Sequence, residues 1–207
     1  MTTTAFQTVI DNAESISITR RKKVAQSISR DGTVKATSMG GQIWEFEITL
    51  PNGPQWSVYR PLIEQMEALD RVTVGTIQIA AAAQSWISGY QGNLSTLSGI
   101  SVSFASGNTV TITAGATGLT AGQFKFKAGD FIQLGSSGSV YSVAADVAYN
   151  ATTITLNRPV REAVATYSLI VGQSVTWNVI CVQFPKWTIF ARDQVGWDGP
   201  FVFAEAV

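Results

Sequence analysis

The stretch 43–50, which reads Ile-Trp-Glu-Phe-Glu-Ile-Thr-Leu, decides the fold class. Every second residue from its second position is large and apolar, and these residues are Trp44, Phe46, Ile48 and Leu50. The residues between them are Glu45, Glu47 and Thr49. Because successive side chains of a strand point to opposite faces, this alternation predicts a half-buried β-strand. It favours a mainly β protein.

The segments on either side extend this interpretation. Upstream, 24–30 and 33–37 flank Asp31-Gly32, a pair that supplies the positive φ angles of a tight hairpin turn. Downstream, apolar residues recur every three or four positions from 58 to 71, which predicts one helix. Residues 72–80 return to an extended pattern, and we expect a bulge near Gly75 because the apolar parity changes there.

The second half of the chain predicts a separate β module. Short apolar segments are separated by Gly/Ser/Asn turns, as in a small sandwich or barrel. The segments are 100–104, 109–114, 131–134, 139–144, 151–157 and 167–171. The two ends of the chain are both rich in Trp and carry most of the charged residues, unlike the middle. We therefore predict a discontinuous domain over 1–95 and 172–207. The module over 96–171 is then an insertion, which domains tolerate at surface loops.

The composition is unusually poor in charge. The 207 residues include 14% charged residues, with Lys+Arg 14 and Asp+Glu 14, where ordinary soluble domains have about 25%. No charged residue occurs from 72 to 124. A balanced charge argues against a nucleic-acid-binding surface, which needs excess Lys and Arg. The low charge favours a surface covered in an assembly, and a neutral Ser/Thr-rich surface on an ordinary β domain is the alternative.

The residue inventory argues against catalysis. The chain has no His, and Cys181 is its single cysteine, so an imidazole base, a Cys/His pair and an internal disulfide are excluded. No G-x-S-x-G is present. Segments 127–130 and 135–138 lack the patterns of phosphate, calcium and dinucleotide loops. We therefore predict no enzyme activity and no catalytic, cofactor or metal site.

Three groups of residues are candidates for other roles. Glu45 and Glu47 share a strand face, which is either solvated or the acidic wall of a pore. The basic run Arg20, Arg21, Lys22 and Lys23 is either a solvated loop or a contact for an acidic partner. Segment 84–97 is either a mobile loop or a partner contact, and its Trp86 and Tyr90 favour contact because aromatic residues are enriched at interfaces.

The sequence predicts neither a secretory signal nor a membrane span. The first ten residues are polar and lack the apolar run of a secretory signal. The longest apolar stretch, at 77–83, is too short to cross a bilayer. We expect synthesis in a cytosol and no membrane association.

Two blocks of sequence together carry a family resemblance. The first contains 31–35 (DGTVK), 42–51 (QIWEFEITLP) and the helix over 62–69. The second contains 118–122 (GLTAG), 127–134 (KAGDFIQL) and 140–143 (VYSV). In this order and spacing, covering about residues 30 to 171, the chain resembles the distal tail protein of long-tailed bacteriophages.

The resemblance implies a structural role in a virion tail. It implies a β-sandwich domain with one α-helix that forms a homohexameric ring, and an inserted domain of oligonucleotide/oligosaccharide-barrel (OB) type that projects outward. The ring would join the tail tube protein to the baseplate hub protein and anchor side fibres, with the tape-measure protein as a further partner. It brings no catalytic residues and no cofactor. Glu45 and Glu47 would face the lumen, where an acidic wall repels passing DNA.

The sequence leaves two alternatives open. Tube, adaptor and hub proteins of phage tails share one β fold, so the chain is alternatively a tube-initiator or minor tail protein. A virion carbohydrate- or receptor-binding module is the other alternative. It would need an exposed stacking platform among four aromatic residues, namely Trp86, Tyr90, Tyr141 and Tyr149.

Overall fold

The protein is mainly β, as predicted, with 41% strand and 12% helix. The computed structural model describes residues 4–20, 24–38, 41–69, 72–81, 83–136 and 138–206. The elements up to residue 77 are α1 (Thr4–Asp11), β1 (Ser15–Thr19), β2 (Val24–Ile28), β3 (Val34–Ser38), β4 (Glu45–Thr49), α2 (Trp56–Glu67) and β5 (Val74–Ile77).

The remaining elements are almost all short strands. From 101 to 174 they are β6 (Ser101–Phe104), β7 (Thr109–Ala114), β8 (Phe124–Phe126), β9 (Phe131–Leu134), β10 (Val140–Ser142), β11 (Val147–Ala148), β12 (Thr153–Thr155), β13 (Thr166–Val171) and a 3-10 turn (Gly172–Ser174). The last four are β14 (Trp177–Gln183), β15 (Lys186–Phe190), β16 (Gln194–Asp198) and β17 (Phe201–Glu205).

The described residues separate into two compact units. The first contains the residues up to 75 together with 179–206, and the second contains 76–178. The predicted domains divided the chain at 95/96 and 171/172 instead. Residues 76–95 thus fall in the second unit, where Leu94 is buried in the core and Ser88 donates its hydroxyl to the carbonyl of Ile79.

The first unit is built on a five-stranded sheet with the order β1-β4-β17-β14-β5. Strand β4 lies between β1 and β17, so that Ile48 has Ile16 and Phe201 as its cross-strand partners. Phe46, Ile48, Phe201 and Phe203 are fully buried. The predicted alternation at 43–50 is therefore confirmed as the core strand of this sheet.

The described part of the first unit contains two helices, where the sequence predicted one. Helix α1 buries Phe6, whose ring centroid lies 5.0 Å from that of Phe203. The sequence prediction missed α1 because an eight-residue helix has a weak signal of its own and depends on tertiary packing. Helix α2 confirms the predicted one, although it begins at Trp56 and contains Pro61 in its interior.

The change of apolar parity near Gly75, which predicted a bulge, comes instead from two exposed valines. Gly75, Ile77 and Ile79 are buried, while Val72 and Val74 are 76% and 52% exposed. The burial of β5 alternates regularly, so the two valines are apolar residues on the exposed side of an ordinary strand.

The second unit has its own sheet and core. Six antiparallel strands have the order β10-β9-β13-β6-β7-β12, and β8 pairs with β11. Its core is a single apolar cluster that includes Ile100, Val102, Phe126, Ile132 and Tyr141. The predicted strands at 109–114 and 131–134 are found with those bounds. Alternation marks the first, whereas the second is a short, fully buried run that its flanking glycines delimit.

Candidate interaction surfaces

Glu45 and Glu47 lie on the face of the first unit's sheet that is opposite to its buried face. Phe46 between them is fully buried, whereas Glu47 is exposed and Glu45 is half-buried. Ser17 and Val202 flank Glu47 across the neighbouring strands. Neither carboxylate forms an ion pair within the described part of the chain. The two carboxylates therefore form a small acidic patch on an otherwise uncharged strip of sheet.

A third carboxylate of this unit, Glu205, has a structural role. It is 8% exposed, and its Oε2 accepts a hydrogen bond from the backbone N–H of Trp44 at 3.2 Å. The backbone N–H of Glu205 donates in turn to the carbonyl of Trp44 at 2.8 Å. Glu205 thus holds the chain just before β4 against the end of β17.

Of the basic run 20–23, the structure describes Arg20. Arg21, Lys22 and Lys23 lie outside the described residues. The guanidinium of Arg20 lies 5.3 Å from the centre of the Trp44 ring, and Gln42 donates a side-chain hydrogen bond to the Arg20 carbonyl. Arg20 is therefore used for packing within the first unit.

The hairpin β2–β3 is the most exposed part of the first unit. Residues 25–28 and 30–37 are all exposed. Ile28 and Val34 are cross-strand partners and are 75% and 60% exposed. A two-stranded hairpin with both faces in water is marginally stable at best. Ile28 and Val34 together therefore form an apolar pair that the rest of the described chain leaves uncovered.

The turn of this hairpin is organised by Asp31. Its carboxylate accepts hydrogen bonds from the hydroxyl of Ser29 and, at 3.0 Å, from the backbone N–H of Thr33. These hydrogen bonds, the one from Ser29 first, lower the pKa of Asp31 to about 2. Gly32 follows with φ +82°, whereas Asp31 does not have the positive φ that the Asp-Gly pair predicted for it.

The hairpin β15–β16 was not predicted as such from the sequence. On one side, the Trp187 ring stacks on Trp56 at 5.2 Å, and its Nε1–H donates to Glu67 at 3.1 Å. On the other side, a groove of about 360 Å³ is lined by Asn52, Thr188, Phe190, Gly196, Trp197 and Asp198. The Trp residues at 187 and 197 were the only sequence signal for this surface.

Trp86 and Tyr90, both predicted as contact residues, have different environments in the second unit. The Trp86 side chain is 75% exposed. The Tyr90 hydroxyl donates to the carbonyl of Lys125 and accepts from the N–H of Leu94 at 3.0 Å, and its ring meets Phe126 edge-on. Burial raises the pKa of Tyr90. Tyr90 is thus committed to internal packing, and Trp86 is free for an outside contact.

The ionisable groups of the second unit hold its loops together. Asp130 accepts backbone hydrogen bonds from Gln91 at 2.9 Å and Lys127 at 2.8 Å, and burial is the main reason that its pKa is raised. Tyr141 is fully buried and donates to Glu162 at 2.5 Å, and burial followed by this hydrogen bond raises its pKa. Lys127 pairs with Asp146 at 3.0 Å. These contacts are structural.

The described residues contain neither a metal-binding cluster nor a helix that could span a membrane. The residues that the structure describes contain no cluster of three or more Asp, Glu, Cys or His that could hold a metal ion. None of their helices is long and apolar enough to span a membrane. No protein-family model matches the chain. A search of curated proteins found no significant relative.

Proposed function

We propose that this chain is a structural subunit of a bacteriophage tail tip. In this proposal it forms a homohexameric ring that joins the tail tube to the baseplate hub and anchors peripheral tail-tip proteins. The first unit forms the ring as a β-sandwich domain. The second unit is a peripheral OB-like barrel. The support for it is the sequence resemblance described above together with the surfaces of the first unit.

One observation carries the proposal furthest, namely the exposure of hairpin β2–β3. Its apolar pair, Ile28 and Val34, is uncovered by the described residues of this chain. The two side chains are adjacent across the hairpin, and adjacent exposed apolar groups are a feature of interaction sites. A subunit that reaches its stable form by association explains both this hairpin and the low charge of the chain.

The acidic patch of Glu45 and Glu47 fits the lumen of such a ring. A wall of carboxylates repels DNA phosphates and lets the genome slide without sticking. In a hexamer each ring would present these two carboxylates six times. Coordinates of the assembled ring test this assignment, and side chains that point away from the central hole would contradict it.

Electron microscopy of the purified full-length chain is the direct test of the ring. We expect closed sixfold rings with a central hole, alone or after mixing with the tail tube protein. A chain that remains a stable monomer in both cases, over the micromolar range and at low salt, would overturn the proposal.

Carbohydrate binding on a virion is a second candidate, and exposed Trp86 favours it. Aromatic faces stack on sugars, but Tyr141 is fully buried and Tyr90 is packed internally, which leaves Trp86 and the 38%-exposed Tyr149. Glycan-array binding by the full chain, abolished by Trp86→Ala and kept by Tyr90→Phe, would support it. No binding above background would exclude it.

A further inference from the structure

The charges of the first unit are separated along the chain. Between 20 and 35 the single acidic residue is Asp31, and the basic residues there are Arg20, Arg21, Lys22, Lys23, Arg30 and Lys35. The helices of the unit and the turn after α1 carry acidic residues. Asp11 ends α1, Glu14 follows it, and Glu64 and Glu67 lie in α2. A subunit with a basic hairpin and an acidic helical region has two complementary surfaces.

The hairpin tip combines positive charge with apolar surface. Arg30 lies in the exposed turn next to the apolar pair Ile28 and Val34. Arg30 and Lys35 form no ion pair within the described ranges. A partner for this tip needs an exposed apolar group and a nearby carboxylate.

Helix α2 offers that combination. Val58 is 66% exposed, and Glu64 is exposed six residues further, which is about 9 Å along the helix axis and about 120° around it. A contact with both residues therefore spans the exposed side of the helix. Glu64 has no ion-pair partner among the residues described, and neither has Arg60 one turn before it. Glu67 is partly satisfied by the indole of Trp187. Glu64 is therefore the available carboxylate on this helix.

We propose that the tip of hairpin β2–β3 of one copy docks on helix α2 of a second copy, with Ile28 and Val34 against Val58 and Arg30 against Glu64. This inference rests on the proposed self-assembly and names its contact. The two surfaces differ, so each copy uses its hairpin on one neighbour and its helix on the other. Such a head-to-tail contact closes into a ring or continues as a filament.

A charge swap tests the contact. Arg30→Glu and Glu64→Arg are each expected to weaken self-association about tenfold or more, because like charges then meet at the interface. The double variant restores the attraction and is expected to recover to within about threefold of the original chain. The dissociation constant is measured by sedimentation velocity at low salt, and ring closure by electron microscopy.

Matched controls separate this contact from a general effect of net charge. Lys186→Glu and Asp198→Arg change exposed residues of the same unit by the same charge, and we expect little effect on association. Ile28→Ser and Val58→Ser test the apolar part, and each is expected to weaken association. Circular dichroism checks that every variant is folded.

The outcomes distinguish the two proposals. If the unmodified chain never associates, the proposed function fails. If it forms rings and the double swap is no better than the single variants, the docking contact is wrong and the ring stands. If the control variants weaken association as much as the swap variants, the contact is equally wrong, because the effect is then one of overall charge.

Discussion

At the residue scale, the turn of hairpin β15–β16 stores backbone strain. Arg192 and Asp193 have φ of 73° and 62°, a left-handed conformation that non-glycine residues rarely adopt. The turn is held by contacts with 53–56, where the N–H of Trp56 donates to the Asp193 carbonyl at 2.9 Å. Asp tolerates this conformation better than Arg does.

Relief of this strain gives a first prediction. Arg192→Gly is expected to raise the free energy of unfolding by about 0.5–1 kcal/mol, since glycine adopts positive φ without a steric cost. Arg192→Val is expected to lower it by about 1 kcal/mol or more, because a β-branched side chain is worst there. Urea unfolding of both variants gives the comparison, and equal stabilities would contradict it.

Asp31 gives a second prediction, on pH. Its folded-state pKa, about 2, lies below the ordinary 3.8, so its hydrogen bonds support the turn above pH 4 and are lost as the pH falls through 2. NMR titration of the Asp31 carboxyl should report this low value. Ser29→Ala removes the largest cause and should move the pKa towards 3.8. Thr33→Val should raise the pKa less than Ser29→Ala does, because it removes only the smaller contribution of the Thr33 hydroxyl and keeps the backbone N–H.

At the element scale, α2 has a proline where a helix normally cannot use one. Pro61 is the sixth residue of the helix, so it lacks the N–H that would bond to the carbonyl of Ser57. Its side chain is exposed and contributes little packing. We expect Pro61→Ala to stabilise the first unit by about 1–3 kcal/mol, measured as a higher unfolding midpoint. Gln65→Ala on the same helix is the control and should change it by less than about 0.5 kcal/mol.

Segment 84–97 gives a prediction about tight packing. A Cβ at Gly92 would lie 2.5 Å from the carbonyl oxygen of Lys125 and 2.1 Å from the Tyr90 hydroxyl. Gly92→Ala should therefore destabilise the second unit by about 2 kcal/mol or more. Gly89, whose Cβ would meet its nearest atom at 3.4 Å, is the matched control. Equal thermal stability of the Gly92→Ala and Gly89→Ala variants would contradict the packing described for Tyr90.

At the scale of the whole molecule, the two units use their charges differently. The acidic residues of the second unit, Asp130, Asp146 and Glu162, are all engaged in hydrogen bonds or an ion pair. In the first unit, Arg30, Lys35, Glu45, Glu47 and Glu64 have no ion-pair partner within the described ranges. The first unit is thus the one whose charges are available for association.

This difference predicts a salt-dependent assembly. Exposed charge pairs are screened over about 10 Å at 0.1 M salt, so self-association should weaken by about tenfold between 0.05 and 0.5 M NaCl. The unfolding of the second unit should respond much less. Association that strengthens with salt would indicate a contact dominated by apolar surface instead.

The strands followed from the sequence where one face is buried. The residues Phe46 and Ile48 alternate with Glu45 and Glu47, and period-two alternation is imposed locally by strand geometry. Asp31-Gly32 marked its turn because backbone conformation at a tight turn also depends on the residues of the turn itself. By contrast, the alternation of Trp177, Val179 and Cys181 in the sequence predicts a buried Cys181. Cys181 is instead half-buried, because burial along β14 ends after Val179. Local alternation shows which residues share a face of a strand, but it does not show how many of them other elements bury.

What the sequence determined by itself was the local part of this protein: its mainly β class, helix α2, the tight turns and the absence of histidine chemistry. Only the tertiary structure decided that β4 pairs with β17 from the far end of the chain, that Tyr90 and Tyr141 are packed inside, and that Ile28 and Val34 are exposed. The physical reason is that backbone ladders and side-chain burial depend on partners distant in sequence, and no local residue pattern names those partners.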